Sequence, residues 1–281
     1  MMNAHAFLFG LAFLWTIFAV VQDLKTREVA NWLTFSLIAF AFAYRAFYAV
    51  FVRDYQFFLL GLIGFFAFVL VSYGLYYGKV FAGGDAKLLM GYGAILPYSQ
   101  YGGLFFLSMG FLILLLMIGA VYSLAFSAFV IVPRHGARFR RAFSEWWNSY
   151  RGVMISSIGL FLFFVVMSFY YFFAVPFVFL AIVPLTYAYT KAVEVCMIKR
   201  VGASRLQEGD WLVNDVRIGE MVIKKSVHGL SREEIAILRK TGRAVVIKEG
   251  VPFVPTFLFA LIVMVYVVVV LGVSPEYFFL F

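Results

Sequence analysis

The chain has 281 residues, of which 64% are apolar, 21% aromatic and 13% charged, and its mean hydropathy is +0.97. A soluble globular protein has about 45–50% apolar and about 25% charged residues, so most of these side chains must face lipid or one another. One cysteine and three histidines argue against disulfide frameworks and cysteine–histidine zinc sites, and we expect no metal and no cofactor. The net charge of +9 lies in short segments beside apolar runs, which indicates membrane topology rather than nucleic-acid binding.

Apolar runs follow one another along the chain, and most have the roughly 17–25 residues that a membrane-spanning helix needs. The runs are 7–22, 32–52, 57–77, 86–96, 104–132, 153–173, 175–192 and 253–271. The run at 86–96 is short, and the run at 175–192 contains two prolines. We therefore predict a polytopic α-helical membrane protein with six to eight transmembrane helices.

The one extended polar stretch, 193–250, predicts a small α+β insert. Strands at 211–216 and 221–226 are expected to pair across a turn at 217–220. Ser231-Arg-Glu-Glu is a capping-box pattern that begins a helix, Gly242 ends that helix, and 244–249 predicts a third strand. The expected domains are a transmembrane core over 1–192, the insert over 193–250, and a final transmembrane helix with its tail over 251–281.

Basic residues collect on the cytoplasmic side of membrane proteins, which allows the orientation to be predicted. With the N-terminus outside, 21 of the 23 lysines and arginines face the cytoplasm, and only Arg45 and Arg53 lie outside. This count requires 153–192 to cross twice, with Pro176 near the turn. We expect a multi-pass protein of the plasma membrane whose insert faces the cytoplasm. The basic loop 134–151 with Trp146 and Trp147 is expected to contact membrane lipids.

Two aspartates remain as candidates for chemistry once the acidic residues are placed on this topology. Asp23 ends the first apolar run and Asp85 begins the fourth, both on the cytoplasmic side, whereas the other acidic residues lie in loops, the insert or the tail. Charged groups at this depth are costly and usually functional. Two carboxyl groups within hydrogen-bond reach share a proton, so that one can deprotonate a water while the other protonates an amide carbonyl.

Gly83 and Gly84 precede Asp85 directly. On their own, they are typical of a tight turn followed by an aspartate N-cap. Beside a catalytic pair, residues without Cβ also allow a substrate backbone to come close. Lys87 is either a tuning group for the carboxyl groups or an interfacial lysine that reaches toward water.

These segments resemble the motifs of a known family. Asp23-Leu-Lys-Thr-Arg-Glu-Val-Ala-Asn-Trp resembles the first-aspartate motif of the type IV prepilin peptidases, and Gly83-Gly84-Asp85-Ala-Lys-Leu resembles their GxGD motif. The insert and the following Val-Pro-Phe-Val-Pro-Thr-Phe resemble the archaeal prepilin and preflagellin peptidases. The resemblance implies an intramembrane aspartic protease, with Asp23 and Asp85 catalytic, that removes short basic leader peptides from pilin-like or archaellin precursors at the cytoplasmic face.

Two departures from the family pattern bear on the prediction. Ala82 stands where the GxGD motif has glycine, so the turn must accept one methyl group, with Gly83 and Gly84 left for unusual φ values. The bacterial enzymes carry paired cysteines and methylate the new N-terminus, whereas this chain has one cysteine and no methyl-donor motif. We therefore expect proteolysis without methyl transfer.

Three alternatives stay open at this point. A transporter or ion relay could use the same two aspartates, although such proteins typically place their acids at the bilayer midplane in broken helices. A presenilin-like protease would carry Tyr-Asp and Pro-Ala-Leu, and neither is present. A scaffold without catalysis would tolerate loss of both acids.

Overall fold

The computed structural model describes residues 2–98, 100–219, 221–226 and 229–270, and these are mostly helical. Six of the described helices are long and apolar enough to cross a membrane, which confirms the predicted polytopic helical class. They span Ala4–Thr26, Asn31–Val52, Tyr55–Tyr77, Tyr101–Arg134, Arg151–Ser168 and Phe172–Cys196. The predicted last run, 253–271, is helical from Pro255, and its final residue lies outside the described ranges.

The elements follow in chain order. The helices are α1 (Met2–Thr26), α2 (Asn31–Val52), α3 (Tyr55–Tyr77), α4 (Gly83–Ile95), α5 (Tyr101–Phe126), α6 (Val132–Arg134), α7 (Gly136–Ser149), α8 (Arg151–Ser168), α9 (Val175–Cys196), α10 (Arg232–Thr241) and α11 (Pro255–Val265). The strands are β1 (Ile198–Val201), β2 (Trp211–Leu212), β3 (Val216–Ile218), β4 (Met221–Ile223) and β5 (Val245–Lys248).

The chain folds as two compact units. The first contains the described parts of Met1–Leu124 and Val251–Phe281, and the second is Ala125–Gly250. The predicted boundary at 250 coincides with a boundary between the units, whereas the predicted boundary at 192 falls inside the second unit. The first unit thus contains α1 to α4, most of α5, and α11.

Helix α4 is too short to cross a bilayer by itself. Its 13 residues give about 20 Å of length, against a hydrocarbon core of about 30 Å. It runs parallel to α2, because Lys87 near its start bonds Asn31 at the start of α2, and Ala94 near its end bonds Arg45. The chain then continues through Leu96 without helical structure. The predicted run 86–96 is therefore a short helix followed by extended backbone.

Arg45 closes the end of α4. Its guanidinium donates to the backbone carbonyl oxygens of Ala94 (2.7 Å), Phe57 (2.6 Å) and Leu96, and its charge lies over the rings of Phe57 and Tyr98. The last carbonyl groups of a helix have no hydrogen-bond partner within it and carry partial negative charge. A buried arginine there donates the missing hydrogen bonds and compensates the charge. Arg45, which the charge count assigns to the outer side, is fully buried within the helical core.

Glycines allow α3 and α4 to come into close contact. A Cβ atom built on Gly93 would lie 2.5 Å from the carbonyl oxygen of Gly64, closer than real side chains come. A Cβ on Gly61 would overlap the Arg45 side chain. These positions explain why the run 57–77 is interrupted by small residues that face α4 and Arg45 rather than lipid.

In the second unit, the basic segment predicted as a loop is helix α7. Its N-terminal half carries the arginines, and Phe139 and Trp146 pack edge-on against Tyr189 and Tyr187 of α9. The segment predicted to cross twice forms two helices, α8 and α9, joined by a short turn. Pro176 lies in the first turn of α9, where a missing N–H costs nothing.

The insert has an antiparallel sheet of order β1-β5-β2 and a separate β3–β4 hairpin. The predicted pairing of 211–216 with 221–226 is wrong in part, because Trp211 and Leu212 pair with β5, and the hairpin begins only at Val216. The capping box at Ser231 and the left-handed Gly242 are confirmed. Glu220 of the predicted turn lies outside the described residues.

Candidate active site

Asp23 lies in the last turn of α1 and is 6% exposed. A carboxylate at a helix C-terminus faces the negative end of the dipole, so another group must favour its charge there. The backbone N–H of Val254 donates to its Oδ2 at 3.0 Å. Because Val254 is the residue before α11, the positive end of that helix dipole is directed at Asp23.

The end of α1 is fixed by a tight reversal of the chain. Arg27 takes the left-handed conformation, with φ of 59°, and its N–H donates to the carbonyl oxygen of Asp23 at 2.9 Å. The Gln22 side chain accepts from the N–H of Ala30 at 3.0 Å, which closes the connection to α2. The polar run after Asp23 thus forms a hydrogen-bonded turn. The Arg27 charge acts electrostatically on Asp23.

Asp85 is the third residue of α4 and is 9% exposed. The Asp23 carboxyl group lies near enough to act on it electrostatically. Two acids that are 62 positions apart in the chain therefore lie in one site, on the antiparallel helices α1 and α4.

The glycine pair does not form the predicted tight turn before an Asp85 N-cap. Gly83 and Gly84 form the first turn of α4, neither has a positive φ, and the N-cap is Ala82 rather than Asp85. The chain reverses earlier, at Lys79 with φ of 61°. Ala82 has an ordinary extended backbone, so its methyl group causes no strain there. A Cβ on Gly84 would come into van der Waals contact with Val29, which leaves little space between α4 and the turn after α1.

A second polar pair holds the two aspartate helices together. The hydroxyl groups of Thr16 and Tyr92 are hydrogen-bonded at 2.6 Å, and both side chains are fully buried. Thr16 lies two turns before Asp23, and Tyr92 lies two turns after Asp85. Thr16 therefore shares a face of α1 with Asp23, and Tyr92 shares a face of α4 with Asp85. The Tyr92 ring also stacks on Phe111, with ring centroids 4.5 Å apart. This contact, about 10 Å deeper along both helices, fixes how closely the acids can lie.

The segment before α11 is the third part of the site, and sequence reasoning did not assign it a role. The Phe253 ring lies 5.2 Å from that of Phe81, which leads into α4, and a Cβ on Gly119 of α5 would lie 2.5 Å from it. Val254 is fully buried. One short segment thus contacts Asp23 through its backbone and the approach to Asp85 through its side chain. The proline pair that brackets Phe253 and Val254 is the signal that could have drawn attention to it.

The Lys87 side chain bonds to the start of α2. Its Nζ donates to Oδ1 of Asn31 at 2.7 Å, which joins the starts of α4 and α2. Within the described ranges, no group of three or more histidine, cysteine or acidic side chains is arranged to hold a metal. The site thus consists of two buried carboxyl groups, backbone N–H donors and an aromatic wall.

Comparison with known proteins shows a similarity that includes both aspartates. Residues 10–127, which include both aspartates, match the type IV leader peptidase family. The chain is 27% identical over 134 residues to a preflagellin peptidase of Methanococcus maripaludis, covering 43% of this chain and 57% of that protein. It is 28% identical over 81 residues to a preflagellin peptidase of Methanocaldococcus jannaschii, covering 29% and 34%. No solved structure matches significantly.

The chain therefore spans less than two thirds of the length of either relative. The family match nonetheless covers α1 to α5, the helices that carry the two acids, and the preflagellin peptidases agree with it. Over residues 10–127, the chain is therefore similar to the type IV leader peptidase family.

Proposed function

We propose that the chain is an aspartic endopeptidase that removes short basic leader peptides from pilin-like or archaellin precursors. The observation that carries the proposal is the meeting of Asp23 and Asp85 in one buried site, where each carboxyl group is within electrostatic reach of the other. The names of the two preflagellin peptidases support the substrate class. We expect no transfer of a methyl group to the product.

The chemistry follows from what two such carboxyl groups can do. Because like charges at close range cannot both ionise cheaply, the pair holds one proton between them at neutral pH. The ionised carboxylate takes a proton from a water, and the resulting hydroxide attacks the carbonyl carbon of the scissile amide. The protonated partner donates to the carbonyl oxygen. Collapse of the tetrahedral intermediate breaks the C–N bond, and the leaving amine takes the proton that the first carboxyl group removed from water. A hydroxyl group of the intermediate returns a proton to the other carboxylate, which restores the pair.

The surrounding residues hold the reacting groups in place. The N–H of Val254 directs one oxygen of Asp23, so the other oxygen is left for water. We propose that the substrate backbone approaches Asp85 past Gly83 and Gly84, on the side of Gly83, where, among the described residues, the only atom within 4 Å of an added Cβ belongs to Tyr76. We place this site at the cytoplasmic face, because the turn after Asp23 and the start of α4 carry Lys25, Arg27 and Lys87.

The proposal is tested by replacing each aspartate with asparagine. Asn keeps the shape of the side chain and cannot exchange a proton at neutral pH, so Asp23→Asn and Asp85→Asn should each abolish leader removal from a preflagellin in membranes. Asp54→Asn is the matched control, because Asp54 caps α3 and asparagine caps helices equally well. It should cleave at the wild-type rate. Normal cleavage by either site variant at equal expression would refute the dyad.

A further inference from the structure

An apolar groove lies between α5 and α11, with a volume of about 460 Å³. Its wall on α5 is formed by Leu114, Ile118, Val121 and Tyr122, and its wall on α11 by Phe259 and Val263. The α5 residues recur at helical spacing, so they make one continuous stripe about 12 Å, or two turns, long. The lining residues on both helices belong to the first unit.

One end of this groove lies at the candidate active site. The Tyr122 ring lies 6.3 Å from that of Phe259, and Gly119, about one turn before Tyr122 on α5, packs against Phe253, the neighbour of the Asp23 donor Val254. On the other wall, α11 begins directly after Val254, the residue that donates to Asp23. Each wall therefore leads from the Asp23 carboxyl group into the groove. An occupant of the groove would have one end beside the reacting groups.

We infer that this groove binds the hydrophobic helix that follows the scissile bond of the precursor. The inference rests on the proposed function. The groove begins beside the reacting groups and its lining is apolar, so the part of a substrate that enters it must be apolar as well. A groove without charged lining favours the apolar part and disfavours the leader. Its length accepts the side chains of two helical turns, which are the turns nearest the bond. The remainder of the substrate helix faces lipid.

Groove residues are exposed to the degree that this role requires. Val263 is 37% exposed and Val121 is 69% exposed, so a passing helix can contact both without displacing a packed side chain. Contacts of this kind are made equally in the bound substrate and in the transition state. They set KM and leave the chemical step unchanged.

The first experiment fills the groove with Val263→Trp and compares two substrates. One is a full preflagellin, and the other is a peptide that contains the leader and the cleavage junction but lacks the hydrophobic helix. We expect KM for the full precursor to rise about tenfold, the effect of losing one buried apolar side chain, with kcat unchanged and the short peptide cleaved as by wild type. Ile262→Trp, on the same helix and outside the groove lining, is the control.

The second experiment reads binding directly. In a Cys196→Ser background, Val263→Cys should form a disulfide with a cysteine placed in the first two turns of the precursor helix, and Ile262→Cys should not. Equal cross-linking at both positions, or none, would overturn the inference. So would a Val263→Trp effect on both substrates alike, which is the result expected if a lipid acyl chain fills the groove. If wild type cleaves neither substrate, the proposed function fails, while the cross-link still tests the groove.

Discussion

Removing the backbone donor of Val254 tests whether the segment before α11 holds Asp23 in its reactive position. Val254→Pro deletes the N–H, and the observed φ of −56° lies within the range that proline adopts, so the local backbone is preserved. A hydrogen bond to a charged group contributes about 1.5–3 kcal/mol. If all of this is lost from the transition state, kcat/KM should fall by roughly 10- to 150-fold, at about 1.4 kcal/mol per factor of ten.

The assay measures leader removal from a preflagellin by purified protein in detergent, with kcat and KM determined separately. Val254→Ala is the matched control, because it trims the same buried side chain and keeps the N–H. Its cost should fall on stability rather than on kcat. If the alanine variant loses as much kcat as the proline variant, packing and not the hydrogen bond determines the effect, and the reasoning is wrong.

Two further predictions concern the hydrogen-bonded pair Thr16–Tyr92 and, separately, Asp210 of the insert. Thr16→Val leaves the buried Tyr92 hydroxyl without its partner and should lower the free energy of unfolding by about 1–3 kcal/mol, whereas Thr16→Val combined with Tyr92→Phe should cost less than Thr16→Val alone. Denaturant titration of the single and double variants measures these costs. Costs that simply add would contradict the pairing. Burial raises the pKa of Asp210, although the N–H of Gln207 opposes the shift. Its protonated form is thus favoured by folding, and this stabilisation, complete below the ordinary pKa of about 4, is lost as pH rises through the raised value. Asp210→Asn should therefore gain thermal stability relative to wild type as pH rises from about 4 to 7, and a constant difference in Tm would count against burial at this position.

Sequence reasoning succeeded where the determinant is local. Long apolar runs predict helices because lipid offers no partner to an unpaired backbone group, and the capping box at Ser231 specifies a helix start within four residues. The class of the fold followed from such signals. The first two helices and α3 begin and end within a few residues of the predicted runs.

The remainder depends on contacts that no local pattern encodes. The donor to Asp23 is a backbone N–H at Val254, and every residue except proline has one, so nothing in the side chains marks it. Trp211 and Leu212 pair with β5 rather than with the nearer strand, a choice made by the core of the insert. Arg45 was assigned by charge counting, which has no means of distinguishing a loop arginine from one that binds carbonyl oxygens inside the protein.

The burial of Arg45 has a consequence for biogenesis. An arginine near the middle of a helix raises the free energy of insertion by about 2.5–3.5 kcal/mol. The carbonyl groups that compensate it belong to Phe57, Ala94 and Leu96, which are synthesised after α2. Helix α2 is therefore poorly suited to enter lipid alone, and α4 in turn needs that arginine for its own end. The translocon should release α2, α3 and α4 together, only after Leu96 has left the ribosome.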